Sequence, residues 1–499
     1  MLSIQTPLAT LDYPESELVI GLVYPVGTDY RIVLDALQDY AQIVGYSPNV
    51  IRLSGYLRTL GLVAVDEPLP EHDRISAYMD AGNRARAEAG RGDFLCLLAV
   101  SEISRNRESS RETQMPEVRP KTLHVIQSLK RPEEVVALRR IYGPGFFLIG
   151  VHADEMGRLR YLEESKDITH DKALQLMKRD QDEKEEYGQR TRETFHLADA
   201  FVNLEEAKEC KGQLLRFLDL VFGAPFETPT SDENGMFVAY AASLRSADLS
   251  RQVGAAIAQN GEVVAVGCND VPKAGGGLYW PGESDQRDYK LGYDSNAKRR
   301  DQMIVEIMTQ LRPEVAEGER LAKGRAMLEA SSVMDITEFG RAVHAEMAAL
   351  LACARAGVSP NGATLYTTTF PCHNCTRHIV ASGILRVVYI EPYAKSRAEE
   401  LHSDAVRIEE HGENSAHDLK VSFDPFVGVG PRRYFDLFST RLSTGYPISR
   451  KNADGSAVNW KRGTARVRVP MLPTSYLQRE RLGVKEIAST MKELEENKG

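Results

Sequence analysis

A chain of 499 residues exceeds the size at which one hydrophobic core keeps growing, which predicts two or three domains. Hydrophobic residues at 42% and charged residues at 27% exclude a largely disordered or membrane-embedded protein. A formal net charge of -9 lacks the basic excess that lines a polynucleotide-binding surface, and it leaves small anionic substrates open.

The first apolar run, residues 18–26, is too short to span a bilayer and has no basic segment before it, so it reads as neither a membrane helix nor a signal peptide and points to the cytoplasm. Six cysteines, irregularly spaced apart from one Cys-x-x-Cys, predict reduced thiols or a metal site. Residues 18–24, 95–100, 123–127 and 146–151 read as buried strands, with Cys96 a core thiol. They alternate with polar helical stretches such as 132–140, which predicts an α/β fold, a parallel sheet with helices on both faces. The stretch from Gly21 to Asp29, with Gly27 and Thr28, leads out of the first strand toward a helix-like segment, the context of a phosphate-cradling loop. Five residues rather than four separate the glycines, and Thr28 stands where a phosphate-binding Lys belongs. Three readings stay open: a degenerate loop that binds a nucleotide or phosphate without efficient transfer, a regulatory scaffold, and an active kinase.

Residues 223–231 (GAPFETPTS) mark the main boundary, giving domains at 1–222 and 232–430, with 431–499 as a C-terminal extension lacking a strong period. In the second domain, 237–244 reads as a helix, 253–258 and 263–267 as a hairpin, and 344–356 as a second helix carrying Cys353 on its apolar side. A strand at 364–367, a helix at 372–382 and a strand at 387–390 follow. Two groups in this part stand out: His344-Ala345-Glu346, and Pro371-Cys372-His373-Asn374-Cys375. One imidazole and two thiolates are a catalytic zinc set, because three protein ligands leave a fourth position for water. The His-x-Glu…Pro-Cys-x-x-Cys order is the signature of zinc deaminases, in which the Glu moves protons and does not ligate. Zinc would bring its water to a pKa of about 7 for attack at C4 of cytosine. Glu346 would carry a proton to N3 and later one to the departing ammonia. Helix starts at both groups and Pro371 suit this chemistry, since a helix N-terminus favours thiolate.

At these residues the chain resembles the cytidine and deoxycytidylate deaminase superfamily. Arg245-Ser246 and 250–255 look like the strand entry of deoxycytidylate deaminases, and 267–272 (GCNDVP) like their Gly-Tyr-Asn-Gly-x-Pro loop. The resemblance implies that Asn269 contacts the sugar and that Arg251 lies in the substrate site. Cys268 and Asp270 depart from the pattern. The whole chain is similar to the bacterial anti-phage deoxycytidine triphosphate deaminases, through 21–29, 338–346, 368–372 and 391–402. That resemblance implies an N-terminal P-loop kinase-like domain before a three-layer α/β/α deaminase domain. It further implies conversion of dCTP to dUTP, with dCMP as a possible second substrate, so that phage replication is starved of dCTP. A homo-oligomer and an inhibitor, a small RNA or a nucleotide, are implied partners. Residues 128–139, the strand ending at Gly150 and 198–203 resemble nucleotide kinases.

The cations that could hold substrate phosphates are Lys298, Arg299 and Arg300, or Lys395 and Arg397; a solvated helix face is the alternative for each. Lys395 is the candidate taken forward. His373 and His378 are given no role. An editor of cytosine or adenine in RNA or single-stranded DNA is the competing function, sharing the zinc chemistry but needing a groove for flanking nucleotides.

Overall fold

The computed structural model describes residues 15–63, 69–107, 118–181, 183, 185–329, 331–391, 396–408, 420–443 and 445–496. Two six-stranded sheets organise them, one in each of two compact units: Met1–Thr230 with Val427–Gly499, and Ser231–Phe426.

In the first unit, β1 (Leu18–Val23), β2 (Ser47–Arg52), β3 (Thr122–Gln127), β4 (Phe146–His152) and β5 (Ala200–Asn203) run parallel. Every residue of β1 is buried, which a parallel strand covered on both faces requires. Leu18, Ile20 and Leu22 share one core with Val33, Leu37 and Tyr40 of the helix Arg31–Ile43 and with Leu214, Phe217 and Leu218 of Ala207–Val221. The period of two sends Val19, Gly21 and Val23 to the opposite face.

One expected strand is a helix. Residues 95–100 lie within Phe94–Arg107, where Leu95, Cys96, Leu97, Ala99 and Val100 are all buried. Burial around most of its girth erases the helical period, and a short apolar run of Leu, Cys and Ala then reads like a strand. Cys96 is a buried thiol there, 3.2 Å from the Asp93 carbonyl.

The second unit contains β6 (Gly254–Gln259), β7 (Glu262–Cys268), β8 (Thr364–Thr369), β9 (Arg386–Glu391), β10 (Val406–Ile408) and β11 (Val421–Pro425) in the order β10-β11-β9-β8-β6-β7. The hairpin β6–β7 turns on Asn260 (φ 51°) and Gly261 (φ 84°), the left-handed pair a two-residue turn demands. A β-carbon on Gly254 would lie 1.9 Å from the Ala239 carbonyl oxygen in the helix Ser231–Ser243. One on Gly267 would lie 2.3 Å from the Ala345 carbonyl oxygen in Ala345–Ala356. Gly267 pairs with Ala255, the residue after Gly254, so these helices cover opposite faces in three layers.

After β11 the chain re-enters the first unit as β12 (Gly428–Val429), antiparallel to β5. The stretch read as a C-terminal extension, 431–499, belongs to that unit. Arg433 reaches Asp199 at 3.2 Å, and the Arg468 amide donates to the Val221 carbonyl at 2.8 Å. The helix Pro473–Glu496 packs on Phe94–Arg107 and Pro132–Tyr142. At that contact the buried Arg107 pairs with both Glu17 and Glu480, and Glu480 also accepts from the Tyr142 hydroxyl at 2.7 Å. These ties join residues hundreds apart, which periodicity within a window does not register.

Candidate active site

Two helix starts on one face of the second sheet converge. His344 is the residue before Ala345–Ala356, and Gly267 lets that helix press its backbone on β7. Cys372 is the residue before His373–Ala381, and Cys375 sits in its first turn. His344 Nδ1 lies 3.3 Å from Cys372 Sγ and 3.4 Å from Cys375 Sγ. All three ligand atoms fall within 4.8 Å of one another. A tetrahedral zinc with ordinary Zn–N and Zn–S lengths separates such donors by about 3.6 Å, so the set fits the ion. The Cys372 thiol is pulled down to about 4 by hydrogen bonding with Cys375 and His344, against a burial penalty.

Glu346 projects from the first turn of the same helix as a 5% exposed carboxyl, its Oε2 3.4 Å from Cys375 Sγ. Burial, with the Cys372 charge adding to it, raises its pKa above the usual carboxylate value. A carboxyl held beside the donors in this way is placed to accept a proton and return it.

A cavity of about 370 Å³ opens on these groups and is lined by His344, Glu346 and Cys372 together with Arg251, Asn269 and His373. Arg251 and Asn269 are thus brought to the metal donors. Asn269 clamps the cavity's edge: its Nδ2 donates to the Arg251 carbonyl at 2.9 Å and its Oδ1 accepts from the Val253 amide at 2.7 Å. Arg251 reaches Glu391 at 3.4 Å. Lys395 lies outside the described residues. Of the basic run, Arg300 lines the cavity, whereas Lys298 sits 4.2 Å from the Tyr293 ring and Arg299 pairs with Glu306 at 3.2 Å. Arg397 pairs with Glu400 in solvent.

Arg341 also lines the cavity, with Asp288 2.7 Å away. Its place in the stretch preceding His344 was the one available signal. Two buried nitrogens of lining residues, Arg300 Nε and His373 Nδ1, have no hydrogen-bond partner among the described residues. A buried guanidinium N–H such as that of Arg300 is costly unless something accepts from it.

The loop residues of the first unit are elsewhere. Gly21 lies inside β1; Gly27 (φ 88°) and Thr28 line a separate cavity, and Asp29 holds Arg31 at 2.6 Å. Among the described residues no helix is long and apolar enough to cross a membrane.

The family model for the cytidine and deoxycytidylate deaminase zinc-binding region matches residues 229–391. The deoxycytidylate deaminase of Enterobacteria phage T4 is 31% identical over 160 residues, 32% of this chain and 77% of that protein. The phage T2 deoxycytidylate deaminase is 33% identical over 160 residues, 32% of this chain and 79% of that protein. A solved dCMP deaminase from the cyanophage S-TIM5, in complex with dCMP and dUMP, is 18% identical, with a TM-score of 0.23, over 40% of this chain and all of that one. The matched region holds His344, Cys372 and Cys375, and zinc is the metal of this site.

Proposed function

Because the chain belongs to the cytidine and deoxycytidylate deaminase family, we propose that it deaminates free deoxycytidine nucleotides, taking dCTP to dUTP and dCMP to dUMP. The observation that carries this reading is one cavity that combines the metal donors His344 and Cys372 and the carboxyl of Glu346 with Asn269 and three arginines, Arg251, Arg300 and Arg341. His344, Cys372 and Cys375 would hold the ion. Zinc bound there acts as a Lewis acid that brings a water's pKa to about 7.

The remaining chemistry belongs to the chain. Glu346 accepts the water's proton as oxygen adds to C4, and delivers it to N3. It then takes the remaining proton from the oxygen on C4 and passes it to the amine as the C4–N4 bond breaks, so that ammonia leaves and the C4 carbonyl of uracil remains. Asn269 holds the 251–253 segment at the rim, where the sugar would rest. Arg300, whose buried Nε lacks an acceptor among the described residues, fits the substrate's phosphates. Depletion of dCTP during phage infection is the biological consequence we infer.

The test is incubation of the zinc-loaded chain with cytidine, dCMP, dCTP and a cytosine-containing single-stranded oligonucleotide, followed by chromatography of the products. Uracil nucleotides from dCTP and dCMP are expected, with little effect of salt because few phosphate contacts are made. Deamination of the oligonucleotide at a rate matching dCTP would transfer the reading to polynucleotide editing.

A further inference from the structure

The first unit contains a cavity of about 680 Å³, within the range of small-molecule sites, beyond the C-terminal end of β1. Its lining has a strong charge bias. Seven arginines and lysines line it against two carboxylates, Glu71 and Asp180. Some of these cations are occupied: Lys130 lies 2.8 Å from Asp180, and Arg74 and Lys166 share Glu71. Arg52 and Arg58 have no ion pair among the described residues. In a chain of net charge -9, so basic a cavity needs a reason.

Two buried groups in the same lining point to an absent acceptor. Thr28 is 5% exposed and Arg86 2% exposed, and neither Thr28 Oγ1 nor Arg86 Nε has a hydrogen-bond partner among the described residues. The carboxylate facing Arg86, Glu134, stands 3.7 Å away, too far for a good hydrogen bond. A guanidinium this deeply buried is costly unless fully paired. Asp180 fixes the loop beside Thr28, accepting from the Val26 amide at 2.8 Å while it holds Lys130. Tyr24, Tyr30 and Tyr78 add planar faces, and the Tyr24 and Tyr30 rings stack 4.7 Å apart.

We propose that this cavity binds a nucleoside polyphosphate, whose phosphate oxygens accept from Thr28 Oγ1, Arg86 and Lys130 and are neutralised by Arg52 and Arg58, with a ring against the tyrosines. Phosphate oxygens accept charge-assisted, bidentate hydrogen bonds from guanidinium groups. The site stands in the first unit and does not depend on what the zinc site deaminates.

The test is calorimetric titration of the zinc-loaded full chain with ATP, GTP and sodium tripolyphosphate, whose lack of a cytosine ring separates this site from the deaminase cavity. Saturable binding of ATP or GTP is expected, weakened about tenfold or more in the surface double variant Arg52→Gln/Arg58→Gln and in Thr28→Val. Both variants should keep the parent's zinc content and circular dichroism. Binding of ATP at least about tenfold tighter than tripolyphosphate supports recognition of the ring, and equal affinities would overturn that part while supporting the phosphate part. No saturable binding of any probe up to about 1 mM, or unchanged affinity in folded variants, overturns the site. ATP binding in a chain that deaminates no cytosine nucleotide would leave this site standing and remove only the proposed reaction.

Discussion

In the proposed reaction Glu346 and the cysteines divide the work of the zinc site, and single substitutions separate them. Glu346→Gln should keep zinc, because it is not a donor, while deamination falls by about 10² to 10⁴; Cys372→Ala should lose the metal itself. Zinc analysis beside product chromatography reads both, and metal loss in Glu346→Gln would place that residue among the ligands. The metal donors were legible in the sequence because zinc chemistry dictates residue type and order. Arg300 was legible only as one of three cations in a basic run, and Arg341 was not singled out as a cation, since only the folded chain separates the cavity-facing Arg300 from its solvated neighbours. A second residue-scale test concerns Glu17, where burial alone would raise the pKa but hydrogen bonds with His124 and Arg107 hold it down to about 2. A depressed carboxyl contributes stability in full above its unfolded value of about 4.5 and loses it as the pH falls toward 2. Burial raises Glu480, which works in the opposite sense, so the variant must isolate Glu17. Glu17→Gln should therefore lower the urea midpoint at pH 7 and flatten its decline between pH 4.5 and 2; a parental slope in that window would remove the assignment.

At the scale of elements, the contact that seats the His344 helix is backbone against backbone. A methyl at Gly267 would lie 2.3 Å from the Ala345 carbonyl oxygen and 2.4 Å from the Ala349 amide, neither of which can turn aside. Gly267→Ala should cost about 3 kcal/mol or more and weaken zinc binding with it, because the first residue displaced is next to His344. Denaturation followed with a chelator competition measures both, and full stability with parental zinc affinity would show that the helix has room to shift. The elements of this unit were readable from sequence wherever strands alternate with amphipathic helices, as at β6, β7, β8 and β9. The helix Phe94–Arg107 escaped because its neighbours bury it on nearly every side, and β2 (SPNVIR) because a Pro and an Asn interrupt its apolar pattern.

At the scale of the whole molecule, the first unit is discontinuous in sequence. It needs β12 on the edge of its sheet, Arg433 and Arg468 against the strands and helices, and Pro473–Glu496 over the Arg107 cluster. Truncation after residue 426 should leave the zinc unit able to bind metal while the first unit loses protection, read by hydrogen exchange at β1, β4 and the helix Phe94–Arg107. Undiminished protection there would make residues 427–499 dispensable. None of this was legible at 431–499, where the segment's regularity comes from distant partners and not from its own period. The interruption also sets a chronology. Ser231–Phe426 is a continuous stretch with its own sheet, so on the ribosome it can close before the residues that complete the earlier half have been made. A nascent chain would thus acquire its metal donors in final geometry while the arginine-lined cavity upstream still lacked the complete scaffold around it.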